Sequence, residues 1–246
     1  MLGPELVKSV LAEMCPQSSD AALAPSRSPG NGRLLSVGSI MHYAHDGDII
    51  WGTGVNGKVP GSQHGFESID VRAVRGPLTA RWLTQHKNVE VPEIYGDPGL
   101  LVRRYYPALK SQEKSRKTLI IPNLNEMHKF RSHPDFVNPT APLGKVLRQI
   151  AASEFVIGSS LHSIIVADSL GVPSALLKSD AEPLFKYEDY FRGTGRVDFE
   201  VFSDLDAAAR AAGRIAREQS ESDPLKNWNE SALVQAFPVD LWQSQD

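Results

Sequence analysis

Glu154-Phe155-Val156-Ile157-Gly158-Ser159-Ser160-Leu161-His162-Ser163-Ile164-Ile165-Val166-Ala167-Asp168-Ser169-Leu170-Gly171-Val172-Pro173 reads as a buried strand, a small-residue turn and a short helix. Phe155, Val156 and Ile157 form the compact apolar run of a strand covered on both faces. Gly158, Ser159 and Ser160 make the turn, and the serines are of a type that caps a helix. Leu161, Ile164 and Ile165 repeat at helical spacing. Gly171 suits the position just past the helix end, and Pro173 prevents continuation. His162 then stands near a helix N-terminus, at the carboxyl end of a parallel strand. Open α/β sheets bind ligands at that edge, and helix N-termini favour anions. A partly buried structural histidine is the plain alternative.

Working outward, 246 residues suffice for one large domain or two small ones, and 41% hydrophobic residues can build a core. A formal net charge of -3 gives no electrostatic case for nucleic acid. Cys15 is the only cysteine, so no intramolecular disulfide forms, as in a reducing compartment. No signal-peptide pattern opens the chain, and no stretch reaches the roughly 20 apolar residues of a membrane span. The expectation is a cytosolic protein, with peripheral contact at the inner face of the membrane left open.

Leu2, Leu6, Val10 and Met14 predict an opening amphipathic helix, and residues 16–32 a loop. Strands are expected at Leu34–Val37, Asp48–Trp51, Val71–Val74, Val91–Tyr95, Thr118–Ile121 and Ser174–Leu177. Helices are expected from Pro77, within Pro139–Ala152, from about Pro183, over Leu205–Arg217 and over Glu230–Phe237. The basic stretch 103–117 reads as a linker, which divides the chain into an N-terminal domain, 1–107, and a C-terminal domain, 108–246. In the helix near Pro183, Lys186 and Asp189 are spaced to pair with each other, and the aromatic residues to pack on the core.

The run Gly52-Thr53-Gly54-Val55-Asn56-Gly57 is a literal G-x-G-x-x-G. The dinucleotide fingerprint requires those glycines to open a helix, and Lys58-Val59-Pro60-Gly61 does not. Close approach of neighbouring groups is the better reading of these glycines. Seven histidines prompt a metal check, but His42 and His45 lack an H-E-x-x-H context and Cys15 is isolated. Neither a G-x-S-x-G elbow nor a P-loop occurs. A zinc site and a nicotinamide or flavin cofactor are therefore disfavoured.

Three strand-end signals remain: Val71-Arg72-Ala73-Val74-Arg75-Gly76-Pro77, Gly96-Asp97-Pro98 and Ser159-Ser160-Leu161-His162. Asp97 suits a cap on the next turn, and a surface ion pair is the plain reading of Arg75. In this order, and with Gly38-Ser39-Ile40, Trp51-Gly52-Thr53-Gly54-Val55 and Lys186-Tyr187-Glu188-Asp189-Tyr190, the chain resembles the polysaccharide pyruvyl transferases over roughly residues 34–192. The resemblance implies two Rossmann-like domains facing a cleft, in the GT-B manner. It implies transfer of a pyruvyl group from phosphoenolpyruvate to a sugar, as a ketal, in exopolysaccharide assembly, with no metal or organic cofactor. The acceptor would be a lipid- or nucleotide-linked saccharide.

By the same resemblance His162 is the candidate general acid, and Arg75 the arginine that holds the carboxylate or phosphate. Arg72 and Lys186 are further candidates for that work. Two departures stand out. Many relatives carry an arginine where this chain has Ser160, so the Ser159 and Ser160 hydroxyls and N–H groups would share the anion hold. Relatives also begin with a strand and an N-x-G-D turn, so the N-terminal domain reads as lacking its first strand. The rivals are a nucleotide-sugar glycosyltransferase of the same architecture and a non-catalytic saccharide-binding or assembly protein.

Overall fold

A computed structural model of the chain describes residues 2–14 and 32–242. Cys15 and residues 16–31 of the expected loop lie outside the described residues. The described elements begin with α1 (Leu2–Met14), β1 (Leu34–Leu35), β2 (Ile49–Trp51), β3 (Asp70–Ala73), α2 (Pro77–Lys87) and α3 (Val102–Tyr105). Next come β4 (Arg116–Ile121), α4 (Met127–Phe130), α5 (Leu143–Ala151), β5 (Ser153–Gly158) and α6 (Leu161–Leu170). The chain continues through β6 (Ser174–Leu177), α7 (Phe185–Gly193), β7 (Val201–Phe202), α8 (Leu205–Glu221) and α9 (Glu230–Gln235).

Two compact units result. The first holds Met1–Pro98, Glu188–Thr194 and Trp228–Asp246; the second holds Gly99–Tyr187 and Gly195–Asn227. The handover at Pro98–Gly99 stands upstream of the basic stretch 103–117, which carries α3, a 3-10 turn at Pro107–Leu109 and the start of β4.

In the first unit β1, β2 and β3 pair in that order, all parallel. Ile49, Ile50 and Trp51 are fully buried, as strand residues flanked on both sides must be. The strand expected at Val91–Tyr95 shrinks to a single bridge between Val74 and Tyr95. Pro92 has no N–H for a ladder, and its carbonyl instead accepts from the Ile94 N–H at 2.8 Å. The C-terminal segment returns to this unit. The Trp51 indole N–H donates to the Leu233 carbonyl at 2.8 Å, and the Phe237 ring meets the Trp51 ring edge-on at 5.0 Å. Trp228 donates to the Tyr95 carbonyl at 2.9 Å.

In the second unit β4, β5, β6 and β7 form a four-stranded sheet, again all parallel. One face carries Phe155, Ile157, Ala175, Leu177 and Phe202, packed on Ala208 and Ile215 of α8. α6 packs on β5, β6 and α5, and eight of its residues are buried. It is a core helix rather than an amphipathic one, so the Leu161–Ile165 spacing marks only part of its buried surface. The α/β reading with parallel sheets therefore holds in both units.

The quoted stretch forms the elements expected of it. Gly171 adopts the left-handed conformation (φ 67°) that ends α6, with its N–H bonded to the Asp168 carbonyl. Gly158 is needed for space, because a Cβ there would overlap Ser163 Oγ. That hydroxyl is not free to retreat, since it donates to the Ser160 carbonyl at 2.6 Å. Gly158→Ala should therefore cost about 2 kcal/mol as an overpacked site. Gly171→Ala, with open space around it, should cost about 1 kcal/mol of backbone strain. Amide exchange of the α6 backbone in the two variants measures both.

Candidate functional site

The carboxyl end of β5 turns through Ser159 and Ser160 into α6, which places His162 in the first turn of that helix. His162 is half-buried and its Nε2 atom is shielded from solvent. Ser160 holds the N-cap position in extended backbone (φ -83°, ψ 124°), but its side chain makes no capping bond. Its backbone is fixed instead. The Ser160 N–H donates to the Ile121 carbonyl at 3.3 Å, and its carbonyl receives the Ser163 N–H at 3.1 Å. The expectation that the serines cap α6 thus fails at the side-chain level, because the Ser163 N–H that a Ser160 cap would accept goes to the Ser160 carbonyl instead.

Ser159 is wholly engaged inside the protein. It is 1% exposed. Its hydroxyl donates to Glu126 Oε2 at 3.1 Å and accepts from the Asn123 N–H at 2.9 Å. Its carbonyl accepts from the Tyr187 hydroxyl at 2.7 Å. Glu126 was not singled out from the sequence. Its carboxylate also accepts from the Ser179 hydroxyl at 2.6 Å, the Asp180 N–H at 3.0 Å and Lys129 Nζ at 3.3 Å. Burial alone would push this carboxyl up. The bonds from Ser179, Asp180, Lys129 and Ser159 outweigh that and hold it below the usual carboxylate range.

Lys186 joins the same neighbourhood through Glu182. Its Nζ lies 3.0 Å from Glu182 Oε2 and 5.0 Å from the centre of the Tyr187 ring. Glu182 Oε1 in turn receives Asn123 Nδ2 at 3.5 Å. Burial pushes the Tyr187 hydroxyl up, with the Glu182 and Glu126 charges adding to it, so it stays a donor to Ser159. The pairing of Lys186 with Asp189 does not occur, since Glu182, one turn earlier, takes the ammonium.

Asp189 has another partner. In the first unit Arg75 and Asp189 form an ion pair in which both side chains are 0% exposed. Arg75 Nε lies 3.0 Å and Nη2 2.9 Å from Asp189 Oδ2. Arg75 also donates to the Ser39 hydroxyl at 2.5 Å and the Val55 carbonyl at 2.6 Å. The Asp189 carboxylate then does a second task. It accepts the Thr79 N–H at 2.9 Å and the Thr79 hydroxyl at 2.7 Å, capping α2, whose N-cap residue Gly76 has no side chain to do so. A Cβ on Gly54 would overlap the Arg75 guanidinium, and a Cβ on Gly76 the Asp189 carbonyl. Of the G-x-G-x-x-G glycines, Gly54 is thus a close-approach residue, and so is Gly52, where a Cβ would meet Pro98 and the Gly96 carbonyl. Arg72 serves different carboxylates, holding Asp70 at 2.8 Å and Asp240 at 3.0 Å.

Of the residues singled out from the sequence, Ser159 and Lys186 join one network in the second unit through Asn123 and Glu182, and Ser160 and His162 follow Ser159 along the same turn. Arg72 and Arg75 lie in the first unit, each committed to carboxylates of that unit. Asp97 is fully buried ahead of a 3-10 turn at Pro98–Leu101. Among the described residues no three metal-binding side chains converge. Asp48 is taken by Arg33 and the His45 N–H, and Asp46 by the Glu67 and Ser68 N–H groups. His42 and His64, 6.3 Å apart as rings, are both held below the usual histidine range, mainly by burial. No helix among the described residues is long and apolar enough to cross a membrane.

A parallel α/β protein with a histidine at a strand-to-helix edge defines a broad class. Comparison with known families narrows it: the model of the polysaccharide pyruvyl transferase family matches residues 30–180. The chain belongs to that family. It is also similar to the succinoglycan biosynthesis protein ExoV of Rhizobium meliloti (strain 1021), with 29% identity over 177 residues. That match takes in 66% of this chain and 54% of ExoV, so the chain spans about half the length of that relative.

Two outcomes test this geometry. Asp189→Ala leaves a buried guanidinium without its carboxylate and should cost about 3–5 kcal/mol. All four tryptophans (Trp51, Trp82, Trp228 and Trp242) lie in the first unit, so tryptophan fluorescence during urea unfolding reads that loss directly. The Glu126 carboxyl, depressed in the folded chain, stabilises the second unit fully above its ordinary value of 4.5. That contribution drains away as pH falls through the depressed value. Thermal unfolding between neutral pH and pH 3 should show a steeper acid loss in the native chain than in Glu126→Gln.

Proposed function

We propose that this chain is a pyruvyl transferase that moves the pyruvyl group of phosphoenolpyruvate to hydroxyls of a saccharide precursor of an exopolysaccharide, forming a ketal. The observation that carries the reading is the family match, whose span includes the turn that presents His162. The name of the ExoV relative, a succinoglycan biosynthesis protein, agrees with an exopolysaccharide acceptor. The GT-B-like arrangement belongs to this reading. So does an acceptor that is lipid- or nucleotide-linked, met in the compartment that supplies phosphoenolpyruvate and at the membrane if a lipid carries it.

The chemistry asks for few groups. His162 donates a proton to the methylene carbon of phosphoenolpyruvate, and positive charge develops at C2. A sugar hydroxyl attacks C2, and its proton returns to the His162 imidazole. A second hydroxyl then displaces phosphate from the same carbon, its proton leaving with the phosphate, and the ketal closes. The departing group is an anion, and the first turn of α6 directs its N–H groups at such a charge. Ser160, half-buried with its hydroxyl outside the capping bonds, stands where that anion would sit. Arg75, Arg72 and Lys186 each hold a carboxylate of the protein. Their part is to shape the chain around the substrate, unless substrate displaces one of those carboxylates.

Phosphate release from phosphoenolpyruvate, assayed with a panel of lipid-linked oligosaccharides, tests the proposal. The native chain should release phosphate only when an acceptor is present. His162→Ala should lower turnover by about 100- to 10,000-fold, the usual worth of a general acid. Near-normal turnover in His162→Ala would remove the histidine from the reaction. Acceptor binding without phosphate release would mark a saccharide-binding protein, and release of a nucleotide from a sugar nucleotide would mark a glycosyltransferase.

A further inference from the structure

We infer that Glu126 is a positioning residue, one that sets where the His162 turn stands. It follows β4 on a 3-10 turn, Leu124–Glu126, and is 4% exposed. Its partners Ser159 and Ser179 follow the carboxyl ends of β5 and β6. One carboxylate therefore ties together the ends of three adjacent parallel strands, at the edge where an open sheet holds ligand.

The polarity of these bonds makes the charge necessary. A carboxylate only accepts, so both hydroxyls must donate to it, and each accepts a backbone N–H besides. Ser159 Oγ accepts from the Asn123 N–H at 2.9 Å, and Ser179 Oγ from the Ala181 N–H at 3.2 Å. Both hydroxyls meet Oε2, while Oε1 accepts from the Asp180 N–H and Lys129 Nζ, so an amide at position 126 keeps an acceptor for one of these pairs of donors and turns an –NH2 donor on the other. Ser159 lies three residues before His162, and α6 is a packed helix that begins between them. A shift of Ser159 is passed to the imidazole with little loss, since Gly158 and Ser163 leave no slack in the turn.

The inference rests on the reading that His162 carries the reaction, so its test has two separable arms. The first follows the His162 ring C–H resonances by NMR, assigned by their loss in His162→Ala. The second measures kcat and KM for phosphate release from phosphoenolpyruvate with the oligosaccharide panel. Glu126→Gln should move or split the His162 resonances in a chain that still unfolds cooperatively. It should lower kcat by about 100-fold, the cost of roughly 1 Å of misplacement, with little change in KM. Asp204→Ala is the control for plain destabilisation. It removes the cap bond to the Ala207 N–H of α8 (2.8 Å), for about 1 kcal/mol, and should leave resonances and kcat unchanged.

If Glu126→Gln does not fold, Ser159→Ala, which deletes the link between carboxylate and turn, decides on the same resonances. His162 signals in the folded variant that superpose on the native ones would overturn the inference. Absence of phosphate release from the native chain would overturn the proposed reaction and leave the resonance arm to judge Glu126 alone.

Discussion

A guanidinium with no exposure must have a carboxylate, and in this chain that demand organises the first unit. Arg75 finds Asp189 across 114 residues of sequence. The pair is held at 2.9–3.0 Å, and its surroundings follow from it. Gly54 is bare because the guanidinium occupies the space of its Cβ. Gly76 is bare because the Asp189 backbone does the same. Thr79 is placed to give the carboxylate its N–H and hydroxyl, and the N-terminus of α2 is capped from a distant part of the chain. Breaking such a pair costs more than the pair contributes, because a lone buried charge remains. That asymmetry explains why several separated sequence motifs act as one.

The second unit answers the same problem with a different arrangement. Glu126 is a buried acceptor surrounded by donors, and its ionised form is favoured by them rather than by solvent. The turn before His162 inherits its order from that carboxylate, from the Asn123 N–H and from the Tyr187 hydroxyl. The local sequence contributes Gly158, where a Cβ would overlap the Ser163 hydroxyl, and Ser163, which binds the turn from inside the helix. Position and chemistry are thereby separated. Ser160 and His162 stand at the helix start, while Ser159 faces the protein.

Much of the architecture was legible in the chain because it was written locally. The apolar run of β5, the Gly171 stop and the Ala-rich α8 each follow from periodicity and punctuation over a few residues. Val91–Tyr95 looked like a strand and became a bridge, since Pro92 removes a ladder donor that hydrophobicity does not register. The site was less legible, because its partners are distant in sequence. Lys186 is the exception, with Glu182 four residues before it and Asp189 three after, and the aspartate is held by Arg75. Glu126 sits in an ordinary polar segment, Asn123-Leu124-Asn125-Glu126, and only three converging strand ends give it meaning. A signal was present all the same: Ser159 and Ser179 stand one and two residues after strand ends, as hydroxyls needing an acceptor at the same edge.

The central claim is that the start of α6 receives phosphoenolpyruvate. Hydrogen exchange of the native chain, measured with and without phosphoenolpyruvate, tests it most directly. The account predicts protection concentrated at the Ser159–Ile165 amides, with the amides around Arg75 unchanged. Exchange at Ser159–Ile165 that is indifferent to saturating phosphoenolpyruvate would contradict it.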